Sequence, residues 1–408
     1  MARILLVGIN YSPEAIGTGK YSSDLCRWLV SRGHEVRVIA APPYYPGWRI
    51  YSGYRKLWFS REAIAGVDVI RCPTWVPSQP SGVKRILHLS SFGFTSLLAL
   101  LYSCCWRPTW VICIAPTLAS APGVLMYSYL TRCKRWLHIQ DFELGAASNL
   151  GLVSNSLLVK LLSRLEIYVL RRFTRVSSIS QKMVDLLIEK GVKGAKVFML
   201  PNWVDTDTVR PLDRESRYRQ LLGIPPNAIV ALYSGNMGLK QGLELLADVA
   251  KEVSTEQLVH FVFGGEGPAV GILQQKCRGL SNVHFLPLQD ERDLNEWLGL
   301  ADIHLLPQTA RVADLVMPSK LTGMLASGRP ILATATVGTE LERQLVRCGI
   351  VTPPGDVQAF SQALLTLARD QSLRSSLGSM GRVKAEDQLS REKVLASFED
   401  AILRSDTP

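Results

Sequence analysis

Residues 3–43, RILLVGINYSPEAIGTGKYSSDLCRWLVSRGHEVRVIAAPP, read as one strand, loop, helix and strand. Residues 3–9 are a continuous apolar run, 10–20 a loop, 21–32 an amphipathic helix stopped by Gly33, and the remainder a second apolar strand. Strands that are apolar without alternation are buried on both faces, which calls for crossover helices and a parallel sheet. The loop places Gly17 and Gly19 just ahead of the helix, where a missing side chain lets a ligand approach the backbone. The full G-x-G-x-x-G spacing is absent and no acidic residue ends the second strand, which argues against a dinucleotide-dependent dehydrogenase.

The pattern restarts after a Pro-bearing polar joint at 206–226. AIVALYSGN (228–236), VHFVFGGEGP (259–268), NVHFLPL (282–288) and ADIHLLP (301–307) supply strands, with helical segments between them. The expected fold class is α/β: two Rossmann-like, doubly wound domains facing each other across a cleft. The expected division is 1–205, 206–385, and a terminal helix at 386–408 that either completes the second domain or packs back on the first.

Residues 316–332, VMPSKLTGMLASGRPIL, read as a tight turn, a short helix with a lysine in its first turn, a stop at Gly328 and a strand. A loop feeding a helix N-terminus offers unpaired N–H groups to a phosphate, and Lys320 adds a full charge.

A chain of 408 residues with 47% hydrophobic and 20% charged residues is of ordinary globular composition and about two domains long. Its eight cysteines form no C-x-x-C pair and no regular spacing, so neither a zinc site nor a disulfide framework is expected, and the thiols read as reduced and cytoplasmic. The apolar run at 4–9 is too short for a signal peptide and reads as a first buried strand.

The net charge of +11 is uneven: residues 1–200 hold 25 Lys+Arg and 10 Asp+Glu, a net +15, leaving −4 for the rest. Such asymmetry points to an anionic partner for the first half, nucleic acid or an anionic membrane surface. No nucleic-acid motif accompanies it. The aromatic and basic stretch 42–61 reads as an ordered loop, packed on the surface or stacking on a sugar or lipid interface. Residues 86–106 carry no charge and meet the length criterion for a spanning helix, but their serines and histidine argue for a buried or membrane-touching helix instead. Segment 156–175 places Lys160, Arg164, Arg171 and Arg175 on one face of an amphipathic helix, either a solvated face or one that lies on an anionic bilayer.

The blocks NYSPEAIGTGKYSSDLCRWLVSRGHEVRVIAAPPYYP, LHIQDFELGA, LPNWVD, YSGNMGLKQGLELL, FGGEGP, NVHFLPL, ADIHLLP and PSKLTGMLASGRPILATATVGTEL occur in order along nearly the whole chain. Together they resemble the family-4 retaining glycosyltransferases of GT-B fold, and look most like the colanic acid biosynthesis branch of bacterial exopolysaccharide clusters. The resemblance implies a UDP- or GDP-sugar donor held by the second domain, an acceptor held by the first, and transfer with retention. On that pattern Gly235, Asn236, Gly238 and Lys240 approach the donor diphosphate and Gly17 closes over it. Gly265 shapes the nucleotide pocket, Leu288 meets the base, and Glu340 lies near the donor ribose. Ser319 and Lys320 complete the phosphate loop, and Asp141 orients donor or acceptor hydroxyls.

Departure of a nucleoside diphosphate concentrates negative charge, which Lys240, Lys320 and fixed amides would stabilise without a metal. No cofactor and no metal are therefore expected. The leaving phosphate is the implied acceptor of the hydroxyl proton.

The sequence also departs from the family. Two family glutamates are replaced by Leu315 and Gly323, the usual arginine of the phosphate turn by Asn236, and the usual His-Asp by Gln140-Asp141. His138 reads equally as a core or a site residue, and Glu14 as a group touching sugar or acceptor. The implied partners are a nucleotide-sugar donor, a polyprenyl-diphosphate-linked oligosaccharide and an anionic membrane surface, with no nucleic acid. The implied location is peripheral, on the inner face of the cytoplasmic membrane. With both glutamates gone, the alternative is a catalytically inactive sugar-nucleotide-binding or scaffolding member of the fold.

Overall fold

A computed structural model describes the chain except for residues 15–16, 117, 143–155, 239–240, 255–258, 311–316 and 405–408. It divides into two compact units, one of residues 1–201 with 395–408, the other of residues 202–394.

Unit 1 is built on an eight-stranded sheet in the order β3-β4-β2-β1-β5-β6-β7-β8. The strands are β1 (Arg3–Val7), β2 (Glu35–Ala40), β3 (Ser60–Ile64), β4 (Val67–Arg71), β5 (Trp110–Ala115), β6 (Lys134–Ile139), β7 (Arg175–Ser178) and β8 (Val197–Met199). All neighbours pair in parallel except β3 with β4. Helices α1 (Thr18–Ser31), α2 (Gly82–Tyr102) and α3 (Ala121–Thr131) are crossovers between these strands. Leu5, Leu6, Val7 and all of β5 are buried, as strands covered on both faces must be.

The edge hairpin β3-β4 corrects the loop reading of 42–61 at its end. Ala65 and Gly66, with φ of 49° and 80°, form a two-residue turn whose twist matches that of the flanking strands. β3 alternates half-buried and exposed residues and so lacks the apolar run that marks the other strands. Arg175 begins β7 rather than continuing the basic helix, which ends at Arg172, and its guanidinium donates to the Ala195 carbonyl at 2.7 Å. The C-terminal residues return to unit 1: the Phe398 and Trp136 rings lie 4.7 Å apart, and Glu399 accepts from Arg32 at 3.2 Å and pairs with His34 at 2.8 Å.

Unit 2 carries a six-stranded parallel sheet, β11-β10-β9-β12-β13-β14. Its strands are β9 (Ile229–Ser234), β10 (Val259–Gly264), β11 (Val283–Leu286), β12 (Ile303–Leu306), β13 (Ile331–Thr334) and β14 (Gly349–Thr352). Numbered within the unit this is the order 3-2-1-4-5-6, with a topological switch between β9 and β12. Turns leaving the carboxyl ends of strands beside such a switch line a crevice, and the Gly235 turn follows β9 directly.

Candidate functional site

In unit 2 the turns after β9 and β10 are laced together by backbone. Gly235 N–H donates to the Gly264 carbonyl at 2.9 Å, Met237 N–H to Glu266 at 2.8 Å, and Gly265 N–H to Leu286 at 3.0 Å. This lacing needs glycine. Gly265 has φ +146°, and a Cβ there would fall 1.9 Å from the Gly235 carbonyl oxygen; at Gly267, φ +149°, it would fall 2.4 Å from that of Met237. Gly265 thus holds two turns together by close packing of backbone. Gly235, at φ +125°, leaves room for Lys320, whose Cδ would lie 3.5 Å from a Cβ at that position.

Lys320 arrives from the loop before helix Leu321–Ala326, where it is the N-cap rather than a first-turn residue. That helix has only six residues, so the charge of Lys320 outweighs any helix dipole. Its ammonium lies 3.7 Å from the centroid of the Tyr233 ring, buried and without a hydrogen-bond partner among the described residues. Burial lowers its pKa to about 7. Tyr233 is held from beneath: its hydroxyl donates to the Asn236 carbonyl at 2.7 Å and also meets Gln241.

The structure therefore brings together Gly235, Asn236, Gly238, Gly265 and Lys320, with Ser319 exposed beside Lys320. Leu288, half exposed, stands two residues past β11. Glu340 is buried in the first turn of helix Glu340–Leu345, where it accepts from Gln344 at 2.7 Å and lies 3.9 Å from Arg343. Lys240 and Leu315 lie outside the described residues. Gly323 is described, and a Cβ there would meet the Leu298 side chain at 3.2 Å.

In unit 1 a second group gathers at the carboxyl end of the sheet. Gly17, with φ 65° and ψ −148°, caps α1, and a Cβ on it would touch the Tyr45 ring at 3.6 Å. Asp141 follows β6 by two residues and acts electrostatically on Tyr45. Burial raises its pKa to about 6, and no described side chain makes a hydrogen bond or ion pair with it.

Glu14, read from the sequence as a group touching sugar or acceptor, is engaged within its own unit. Its buried carboxylate accepts the Tyr44 and Tyr45 N–H groups, both at 2.8 Å, and the Asn10 amide at 2.8 Å. It therefore fixes the loop that carries Tyr45. His138 is resolved as a core residue: Nδ1 meets Ser177 Oγ at 2.9 Å, Nε2 meets Gln140 at 3.0 Å, and burial lowers its pKa to about 3, so the ring is neutral. Asp141 is thus seated on a strand end fixed from below by neutral hydrogen bonds.

Two side chains escaped the sequence reading. Tyr233 sits inside an apolar strand run, where its packing masks its contact with Lys320. Tyr45 lies in PYYPG, legible only as a loop aromatic.

Chemically, unit 2 offers a cation over a glycine turn, unpaired among the described residues and suited to an anion, and unit 1 offers a buried carboxylate of raised pKa just past a strand end, suited to hydroxyls.

Residues 17–203 match the family described as Glycosyl transferase 4-like domain and residues 228–370 the one described as Glycosyl transferases group 1. The chain is 38% identical to the Escherichia coli K12 protein named as a colanic acid biosynthesis glycosyl transferase, WcaI, over 97% of this chain and 98% of that one. It is 23% identical to a D-inositol 3-phosphate glycosyltransferase of Xylanimonas cellulosilytica, over 93% and 91%. Among solved structures, Anabaena Alr3699/HepE in complex with UDP and glucose superposes with a TM-score of 0.70 at 16% identity, covering 99% of this chain and 100% of that one. Sucrose-phosphate synthase from Thermosynechococcus elongatus does so with a TM-score of 0.77 at 16% identity, covering 99% of each. Both units fall within the matched families and a relative aligns from end to end, so the chain belongs to the group 1, family-4-like glycosyltransferases, enzymes of GT-B fold.

Proposed function

We propose that this enzyme transfers a sugar, with retention of anomeric configuration, from a UDP- or GDP-sugar to a polyprenyl-diphosphate-linked oligosaccharide in exopolysaccharide assembly. The observation that carries the donor half is the Lys320 ammonium beside the Gly235 turn, buried and without a hydrogen-bond partner among the described residues. An ammonium left without an anion in a low-dielectric site is unfavourable, and a diphosphate supplies the missing charge. As the glycosidic bond to the nucleotide breaks, negative charge grows on the departing β-phosphate, and the attraction to Lys320 grows with it. This is transition-state stabilisation by a fixed charge, with no metal required.

Asp141 orients the acceptor or donor hydroxyl, and the hydroxyl proton passes to the departing phosphate. The net +15 of the first 200 residues favours an anionic lipid acceptor and an anionic bilayer surface, on the inner face of the cytoplasmic membrane. UDP in the Anabaena structure and the colanic acid name of the Escherichia coli relative both support the reading.

The test is a thermal-shift screen over nucleoside diphosphates and their sugars, followed by transfer to a lipid-linked acceptor and assignment of the product anomer by NMR. The expected result is stabilisation by one nucleotide class and a product with the donor's anomeric configuration. Inverted product, or stabilisation by no nucleotide, overturns the proposal.

A further inference from the structure

Helix α2 is apolar on its outward face as well as on its buried one. Its 21 residues bury His88, Phe92, Ser96, Ala99 and Leu100 against the protein. Its outward apolar residues, at helical spacings of three, four and seven, are Val83, Leu87, Phe94, Leu98 and Leu101, with Phe94 66% and Val83 69% exposed. A helix that covers a sheet in water places such residues inward and its polar ones outward.

α3 widens the same face. A Cβ on Gly93 would lie 2.9 Å from the Ala119 carbonyl, one on Gly123 would touch Leu97 at 3.4 Å, and the Tyr127 hydroxyl donates to the Ser103 carbonyl at 3.1 Å. The two helices thus run side by side in the same direction. α3 turns Met126, Tyr129 and Leu130 outward, with Tyr129 82% exposed. The patch ends in Lys84 and Arg85 at the start of α2, and in Arg107 and Arg132 just beyond the ends of α2 and α3, all four exposed. Between residues 69 and 140 the sequence holds seven Lys and Arg and no Asp or Glu.

α2 is long and apolar enough to cross a membrane, but its polar side is committed to the protein. His88 Nδ1 donates to the Trp75 carbonyl at 2.6 Å, and Ser96 meets Ser120 at 3.3 Å. Crossing the bilayer would break these bonds in a medium that offers no replacement. Lying flat keeps them, and places a helix about 32 Å long in the interfacial plane.

We propose that the α2-α3 face is the surface by which this chain inserts into an anionic bilayer: leucines and Phe94 enter the acyl boundary, Tyr102 and Tyr129 sit at headgroup level, and the flanking Lys and Arg meet lipid phosphates. This deepens the membrane contact proposed above and rests on that reading. Of the two segments read as candidates for membrane contact, it assigns the insertion to the apolar one, α2, joined by α3, and not to the basic helix Ser156–Arg172. The occupant is lipid because a long apolar stripe flanked by Lys84, Arg85, Arg107 and Arg132 matches an acyl layer beneath an anionic headgroup sheet; a second copy of the same basic flanks would repel it.

The test uses the full chain and vesicles of phosphatidylcholine with or without phosphatidylglycerol. The wild type is expected to cosediment with the anionic vesicles only. The double variant Phe94→Asp and Leu98→Asp, both outward, is expected to lose at least tenfold in partitioning while its nucleotide-induced thermal shift is unchanged. Lys84→Glu is expected to weaken binding and its salt dependence together. Failure of the wild type to bind overturns both membrane contact and this face. Binding by the wild type that survives the double variant overturns the face alone. Conversion of a dimer to a monomer by the double variant, with vesicle binding intact, assigns the face to a second copy and overturns the proposal.

Discussion

The ammonium of Lys320 lies over the ring of Tyr233, 3.7 Å from its centroid, with no hydrogen-bond partner among the described residues. The ring face supplies partial negative charge that tolerates a buried cation without neutralising it. The pair keeps the lysine in place and leaves its charge free for an incoming anion.

Replacing Lys320 by methionine keeps the packing and removes the charge. Transfer is expected to fall by about 10²- to 10³-fold, the usual cost of losing one fixed donor to a developing anion. The ligand-free protein should not lose stability, because an unpaired buried ammonium is removed. Circular dichroism melting alongside a transfer assay checks both, and an unchanged rate would remove the phosphate role.

Nucleoside diphosphate binding should depend on pH through the same group. The free lysine titrates at about 7, and an anion beside it raises that value, so binding takes up a proton above neutrality. Affinity is therefore expected to be full below pH 7 and to fall by up to about tenfold per unit above it until the pKa of the complex is reached. Calorimetry in buffers of different ionisation enthalpy reads the proton uptake directly, and Lys320→Met should abolish it. The ligand-free protein shows the opposite trend. Between pH 7 and the ordinary lysine value of about 10.4 the unfolded chain holds more protons than the folded one, so this group makes stability rise with pH.

Asp141, with its pKa raised to about 6, predicts an acid limb in the rate profile. Below that pH the carboxyl is protonated and no longer accepts from two hydroxyls. The rate is expected to drop about tenfold per unit of pH on that side. In Asp141→Asn the limb should vanish along with most of the activity, and a variant that keeps both limb and rate would exclude the aspartate.

Gly265→Ala forces a Cβ to within 1.9 Å of a carbonyl oxygen at φ +146°. Destabilisation of about 2 kcal/mol or more is expected, together with loss of nucleotide binding as the two turns separate. Gly271→Ala is the control: it is exposed, lies in helix Val270–Lys276 and has nothing within 4 Å, so it should be neutral or stabilise by up to about 1 kcal/mol. Denaturant unfolding compares them.

The sequence by itself determined the two parallel sheets, because short apolar runs such as residues 3–9 and 228–233 recur between helical segments, as strands covered on both faces do. It also located the glycine turns and Lys320, since glycine and lysine types constrain backbone and charge locally. Tertiary structure alone decided what each group does there. Glu14 became a loop latch because Tyr44 and Tyr45, thirty residues on, present their N–H groups to it. Gly323 lies against the Leu298 side chain from another helix, so a larger residue there would press on it. Lys320 acquired its low pKa from burial, in a place where Tyr233, on a strand far away in sequence, lies against its ammonium. The orientation of α2 also lay beyond the sequence. Its composition is apolar on most sides, and only docking through Gly93 and His88 decides which stripe faces outward. Strand periodicity is a local property carried by each segment, whereas burial, desolvation and pairing depend on what other segments bring to the same place.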